Sequence, residues 1–93
     1  MHHMLTFSFT HTKGSRDEAI ARFKQTGGQP PAGAKLLGRW TAADFSEGFV
    51  LLESDDAAAL TEFALQWSDL LDLRLVPVVE DAALLAILQR TGR

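Results

Sequence analysis

The chain has 93 residues with a hydrophobic share of 46%, a charged share of 23% and a formal net charge of −3, which suits one modest core and excludes disordered and low-complexity chains. It contains no cysteine, no run of Lys and Arg, and no apolar stretch of the roughly 18 residues that a membrane-spanning helix needs. We therefore predict a single soluble, cytoplasmic domain over residues 1–93, without disulfides, a nucleic-acid partner or a membrane partner.

The start of the chain predicts a strand followed by a helix. Residues 4–10 alternate between apolar and polar side chains, which is the period of a half-buried strand. Ser15 and Glu18 have the spacing of a capping box, so a helix should begin there, and Gly27-Gly28 should end it. Met1-His2-His3 lacks the long apolar stretch of a signal peptide, and we treat it as a remnant of expression or a disordered native extension.

The middle of the chain predicts a β-hairpin. Residues 34–41 and 49–53 read as two strands, and the composition of residues 44–48 is that of a turn between them. Strict alternation places the side chains of the first of these strands on two faces, with Leu36, Gly38 and Trp40 on one and Lys35, Leu37 and Arg39 on the other. The second is apolar on both faces.

The last part of the chain predicts a helix, a strand and a final helix. Asp55 or Asp56 can cap the first helix. One apolar stripe runs along it, formed by Leu60, Phe63, Ala64 and Trp67. Residues 71–79 follow as a strand that Pro77 restricts to a sheet edge, and residues 82–90 close the chain as a helix with a wide apolar arc.

This order of elements predicts an α+β fold of the ferredoxin-like type. It is the βαββαβ arrangement with an additional C-terminal helix and a four-stranded antiparallel sheet, in which both main helices cover one face. The third strand would then expose either Phe49 and Leu51 or Val50 and Leu52 on the other face. Because exposing such a surface is costly, we predict a homodimer. The alternative is that the terminal helix covers this face within one subunit.

Three short motifs resemble those of a family of small bacterial domains of unknown function. They are Gly38-Arg39-Trp40, Trp67-Ser68-Asp69-Leu70 and Val76-Pro77-Val78, and the resemblance spans about residues 4–82. The family resembles the dimeric α+β barrels, in which two ferredoxin-like sheets pack around a cavity and which include monooxygenases and muconolactone isomerases. That resemblance implies a dimer with a cavity between the sheets. The family pattern often has a histidine where this chain has Thr41, which puts a role built on that histidine in doubt.

Five residues are candidates for lining a ligand cavity. Trp40 could stack on a flat ligand, or simply pack in the core. Arg39 and Arg74 are charged residues within apolar strands and could hold a carboxylate or enolate. Exposed positions at a sheet edge are the commoner reason for an arginine in such a strand. Thr6 and Ser8 could bind a ligand through their hydroxyls or only bond across strands. Trp67, by contrast, is predicted to be a core residue.

Two acids are candidate catalytic residues. Glu53 ends an apolar strand and could act as a general base with a raised pKa, or be a surface acid. Asp69 could catalyse or position a ligand, or cap the turn after the helix. His3 and His11 would lie roughly 26 Å apart along one strand, too far to share a metal. We predict no metal and no cofactor.

These observations leave three functions open. The leading prediction is a homodimer that binds a small, largely apolar molecule between its sheets. The second is a cofactor-independent enzyme of the monooxygenase or isomerase kind, with Glu53 or Asp69 as base and an arginine that stabilises the anion. The third is a purely structural dimerisation module.

Overall fold

The computed structural model describes residues 1–9 and 16–93, which form four strands and three helices. In chain order these are β1 (His2–Phe9), α1 (Arg16–Thr26), β2 (Lys35–Thr41), β3 (Glu47–Glu53), α2 (Ala57–Trp67), β4 (Leu71–Val78) and α3 (Asp81–Thr91). All strand pairs are antiparallel, in the order β2-β3-β1-β4. The predicted ferredoxin-like α+β fold with a C-terminal helix is confirmed, and Pro77 lies in an edge strand as expected.

The core lies between one face of the sheet and helices α1 and α2. Leu5 of β1 pairs with Val50 of β3 and with Leu75 of β4, so these side chains share the face toward the helices. Leu52 is fully buried on the same face, and Phe63 of α2 packs against it. Period-two alternation of β3 therefore directs Phe49 and Leu51 to the opposite face, which we call the open face.

The first residues of the chain belong to the sheet. β1 begins at His2, and the ring Nε2–H of His3 donates to the carbonyl of Ser54 at 3.2 Å. The amino group of Met1 lies 3.1 Å from a carboxylate oxygen of Asp55. His2 and His3, expected to belong to a remnant or a disordered extension, are therefore part of the sheet, because their backbone continues the ladders to β3 and β4. Ser15, the predicted cap of the first helix, lies outside the described residues, and so does His11.

A bulge in β2 changes which side chains face the helices. Leu36 pairs with Leu52, but Gly38 pairs with Leu51, so Leu37 is an extra residue in the ladder. Strict alternation was therefore wrong for this strand. Leu36 and Arg39 share the helix face, whereas Gly38 and Trp40 lie on the open face, because the inserted residue reverses the parity of everything that follows it.

The two predicted helix-end signals in the described residues are confirmed. Asp56 caps α2, since its carboxylate accepts hydrogen bonds from the amides of Ala58 and Ala59 at 3.0 and 3.2 Å. Helix α1 ends where Gly27 and Gly28 take left-handed backbone angles, φ +74° and +60°. These two glycines also position Arg39, as described below.

Helix α3 packs against neither face of its own sheet. None of its residues is buried, and four large apolar side chains are exposed: Leu84, Leu85, Ile87 and Leu88. The alternative in which α3 covers the sheet of its own subunit is therefore not the arrangement in this structure. No helix within residues 1–9 and 16–93 is long and apolar enough to cross a membrane.

Candidate functional site

A cavity of about 470 Å³ lies on the helix side of the sheet. Its floor is formed by side chains of the four strands, and its walls by α1, α2 and the turn before β3. The apolar lining comprises Leu5, Phe7, Phe9, Ala19, Ile20, Phe23, Phe45, Val50, Phe63, Trp67, Leu71 and Leu73. The polar or charged lining comprises Lys24, Arg39 and Thr41. The site is therefore an apolar chamber with two cations and a hydroxyl.

The cavity exists because α1 buries little of its surface against the sheet. Ala19 is the residue of α1 that becomes buried, and Phe23 one turn later is still 46% exposed. The apolar stripe of α1 is narrow, so the helix has few large side chains with which to fill the space above β1. The weak amphipathicity of α1 in the sequence is thus the local cause of the cavity.

Arg39 is held at the edge of the cavity by the end of α1. Its Nη1 donates to the carbonyl of Gly28 at 2.8 Å, and its Nη2 donates to the carbonyl of Gly27 at 3.0 Å. Its guanidinium carbon lies 4.9 Å from the centre of the Phe23 ring, within cation–π range. Burial lowers the pKa of the Arg39 guanidinium. This arginine is therefore oriented by three contacts while partly withdrawn from water.

The turn before β3 closes one end of the cavity with Phe45. This residue has φ +63°, a left-handed angle that is unusual for an aromatic residue. Its ring stacks on that of Phe9 with centroids 5.1 Å apart, and the guanidinium of Arg16 lies 5.6 Å from it. These ring contacts offset the backbone strain of the turn.

The other predicted ligand residues lie on the open face. Trp40, Phe49, Thr6 and Arg74 occupy one row across the four strands, because each is paired with the next in the ladder. Trp40 is 56% exposed. Ser8 lies in the next row of the same face. Of the five predicted ligand residues, only Arg39 lines the cavity, and the ligand roles of the other four stay predictions.

Neither predicted catalytic acid lines the cavity. Glu53 is exposed and is paired across the sheet with His2 and Lys35, on the open face. Asp69 accepts two hydrogen bonds from Arg22, each at 2.8 Å, and this arginine holds the pKa of the Asp69 carboxyl below its usual range. A base needs the opposite shift. The catalytic roles of both acids stay predictions that this geometry does not support.

Several lining residues were not singled out from the sequence. Lys24 has no motif around it, and Thr41 was noted only for departing from a family pattern. Ile20 and Phe23 of α1 also line the cavity, and their spacing of three residues on one side of a helix is the signal that could have placed them at its wall. Trp67, assigned to the core, packs against two groups of buried residues, one that includes Leu52 and one that includes Leu71, and it also borders the cavity.

The structure offers no cluster of metal ligands in the described residues. Within 1–9 and 16–93, no three side chains of His, Asp or Glu come together in a way that could hold an ion. His2 instead contacts Glu80, with Nδ1 3.0 Å from a carboxylate oxygen.

Comparison with known proteins agrees with the predicted class of domain. No curated protein matches the chain. A family described as a domain of unknown function (DUF3303) matches residues 1–92, which is nearly the whole chain. The chain therefore belongs to the DUF3303 family.

Proposed function

We propose that this domain is a homodimer that binds a small, largely apolar molecule in the cavity between its sheet and helix α1. The observation that carries the proposal is the cavity, whose volume of about 470 Å³ falls in the usual range of ligand sites. Protein interiors are otherwise close-packed, so a space of this size with an aromatic lining is suited to hold a ligand.

This location differs from the predicted one between the sheets of two subunits. The predicted site used both Trp40 and Arg39, but adjacent residues of a strand face opposite sides, and the bulge at Leu37 turns Arg39 to the helix side and Trp40 to the open face. Arg39 lies with the apolar lining, and Trp40 lies with the row that includes Phe49. We therefore assign ligand binding to the helix side and assembly to the open face.

The open face supports the homodimer. Phe49 is 36% exposed there, beside Trp40, Leu51 and Met4. Four strands of this length cover roughly 19 by 25 Å, a flat area on the order of 500 Å² per copy. Side-chain relief enlarges this toward the roughly 800 Å² per partner of stable interfaces, and α3 adds its exposed apolar side chains. A second copy would cover both surfaces.

The cavity favours binding over catalysis. Its described lining contains no Asp, Glu or His, so it offers none of the usual general bases for removing a proton next to a carbonyl. The monooxygenase or isomerase alternative would need an acid brought in from another place. A purely structural module is the remaining alternative, and the ligand test below separates it from a binding domain.

The two tryptophans allow a test of where a ligand binds. Trp67 borders the cavity and Trp40 lies on the open face, so Trp40→Phe leaves a reporter of the cavity and Trp67→Phe leaves a reporter of the open face. We would titrate each variant with N-phenyl-1-naphthylamine, a neutral apolar dye that accepts energy from tryptophan. Saturable energy transfer from Trp67, stronger than from Trp40, is the expected result. Absence of saturable binding would leave a structural module.

A filling variant provides the control for this titration. Ile20→Phe adds bulk within the cavity, whereas Leu51→Phe adds the same kind of bulk on the open face. Dye affinity should fall at least about tenfold in the first variant and stay unchanged in the second, provided that circular dichroism shows both to be folded. Equal affinities would place the dye elsewhere.

The homodimer is tested by sedimentation velocity over a range of concentrations. Leu51→Asp places a charge on the open face, whereas Leu65→Asp changes a residue of α2 that is 71% exposed on the helix layer. The first variant should sediment as a monomer, and the second should keep the mass of the wild-type chain. A wild-type monomer at tens of micromolar would refute the dimer while leaving the ligand site untouched.

A further inference from the structure

The charge of Arg39 is not balanced by a carboxylate in the described part of the chain. Its oriented contacts are the carbonyls of Gly27 and Gly28 and the ring of Phe23. Carbonyl dipoles at a helix C-terminus favour a cation but carry only a fraction of a charge. Burial disfavours the charged form of this guanidinium, and no Asp or Glu among residues 1–9 and 16–93 offsets that effect. A withdrawn cation of this kind is stabilised further by an anion.

Among the described residues, the lining of the cavity carries charge of one sign. Arg39 and Lys24 are its charged members, and no acid is found among the described lining residues. The chain as a whole is acidic, with a formal charge of −3, so the sign of this described lining is opposite to that of the overall charge. An apolar chamber with cations at its edge matches a molecule that has an apolar body and one anionic end.

The geometry of the guanidinium specifies the anionic end. An arginine has five N–H donors in a planar fork, and two of the Arg39 donors are used by the glycine carbonyls. The remaining donors suit the two coplanar oxygens of a carboxylate. Resting on the proposed function, we propose that the ligand is an amphipathic carboxylic acid, with its carboxylate on Arg39 and Lys24 and its apolar body in the cavity.

Three probes of one length test this proposal on the wild-type chain. Decanoate, 1-decanol and decylamine share the apolar body and differ in the charge of the end group, and each is measured by displacement of N-phenyl-1-naphthylamine. A charge-assisted contact should make decanoate bind about 10- to 100-fold more tightly than decanol. Decylamine should bind more weakly than decanol, because the cavity edge repels a cation.

Three arginine variants test which residue selects the acid. In Arg39→Gln, the ratio of decanoate to decanol affinity should fall at least about tenfold, with circular dichroism showing that the variant is folded. In Arg74→Gln, a matched change on the open face, the preference for decanoate should persist. Arg39→Lys should restore part of the preference, because it keeps the charge without the fork. If Arg39→Gln fails to fold, the wild-type comparison of the three probes decides the proposal alone.

The outcomes separate this inference from the proposed function. If decanol binds as tightly as decanoate, or decanoate does not displace the dye, the acid preference is refuted and the apolar site stands. If the dye itself shows no saturable binding, the proposed function fails and this inference fails with it. A preference for decanoate that survives Arg39→Gln would overturn the assignment to this arginine.

Discussion

The contact between Arg39 and the end of α1 gives a prediction whose magnitude follows from two neighbouring glycines. Gly27 and Gly28 both have left-handed angles, so alanine at either position should cost about 1 kcal/mol of backbone strain. A Cβ on Gly27 would meet Gln29 Cγ at 3.9 Å, an ordinary contact. A Cβ on Gly28 would collide with Arg39 Nη1 and lie 3.1 Å from Phe23 Cδ2. Only the second substitution therefore displaces the guanidinium.

Displacing the guanidinium adds a separate cost in Gly28→Ala. Hydrogen bonds from a charged donor contribute roughly 1.5 to 3 kcal/mol each, but water replaces part of this at a half-buried site, so we expect about 1 to 2 kcal/mol beyond the strain. For a domain of this size, 1 kcal/mol corresponds to a Tm change of about 4 to 8 °C. Gly27→Ala should lower the Tm by about 5 °C, and Gly28→Ala by about 10 to 20 °C.

Thermal unfolding followed by circular dichroism measures both values, with the two variants at equal concentration and pH. Equal losses would refute the reasoning, because they would mean that the Arg39 contact contributes nothing to stability. The same two variants distinguish the effect of backbone strain from the effect of moving the guanidinium on ligand preference. Gly28→Ala should weaken the preference for decanoate, because it moves the guanidinium, and Gly27→Ala should leave that preference in place.

Three further outcomes are expected. Asp56→Ala removes the cap of α2 and should lower stability by about 1 kcal/mol, whereas Asp55→Ala should change it by less than about 0.5 kcal/mol; equal effects in thermal unfolding would contradict this cap assignment. Trp40→Ala should raise the dissociation constant of the proposed homodimer at least about tenfold in sedimentation equilibrium, and an unchanged dissociation constant would count against the open face as the interface. Arg22 lowers the pKa of Asp69 in the folded state. The stabilisation that this pair gives is therefore present above the Asp pKa of the unfolded chain, near 3.9, and is lost as the pH falls through the lower pKa of the folded state. The Tm difference between wild type and Asp69→Asn should therefore vanish on acidification, and a constant difference would count against this linkage.

The element order could be predicted because it depends on local signals. Alternation in β1 and the stripe of α2 are strong periodic patterns, and the cap at Asp56 and the break at Gly27-Gly28 are set by side-chain and backbone chemistry within a few residues. Even the edge position of β4 followed from one residue, Pro77, which has no backbone N–H to donate to a neighbouring strand.

The site could not be predicted because it depends on the parity of β2 and on how closely α1 packs. Residues 35–41 alternate well enough to look regular, and nothing in them marks Leu37 as the extra residue. A single bulge moves Arg39 to the helix side. The cavity in turn depends on the volume that α1 fails to fill, which is a property of several elements together rather than of any one motif.

The bulge also determines which member of one motif faces which side of the sheet. In Gly38-Arg39-Trp40 the arginine faces the ligand cavity, while the glycine and the tryptophan face the surface assigned to assembly. Gly38 and Trp40 belong together, because a Cβ on Gly38 would lie within 3.1 Å of the Trp40 indole, so the ring lies across the glycine. Since adjacent residues of a strand point to opposite faces, the side chain of either Arg39 or Trp40 can be changed without entering the other's surface. The proposed ligand preference and the proposed homodimer are therefore expected to respond to different members of this motif. A single substitution that altered both would mean that the two surfaces are coupled through β2.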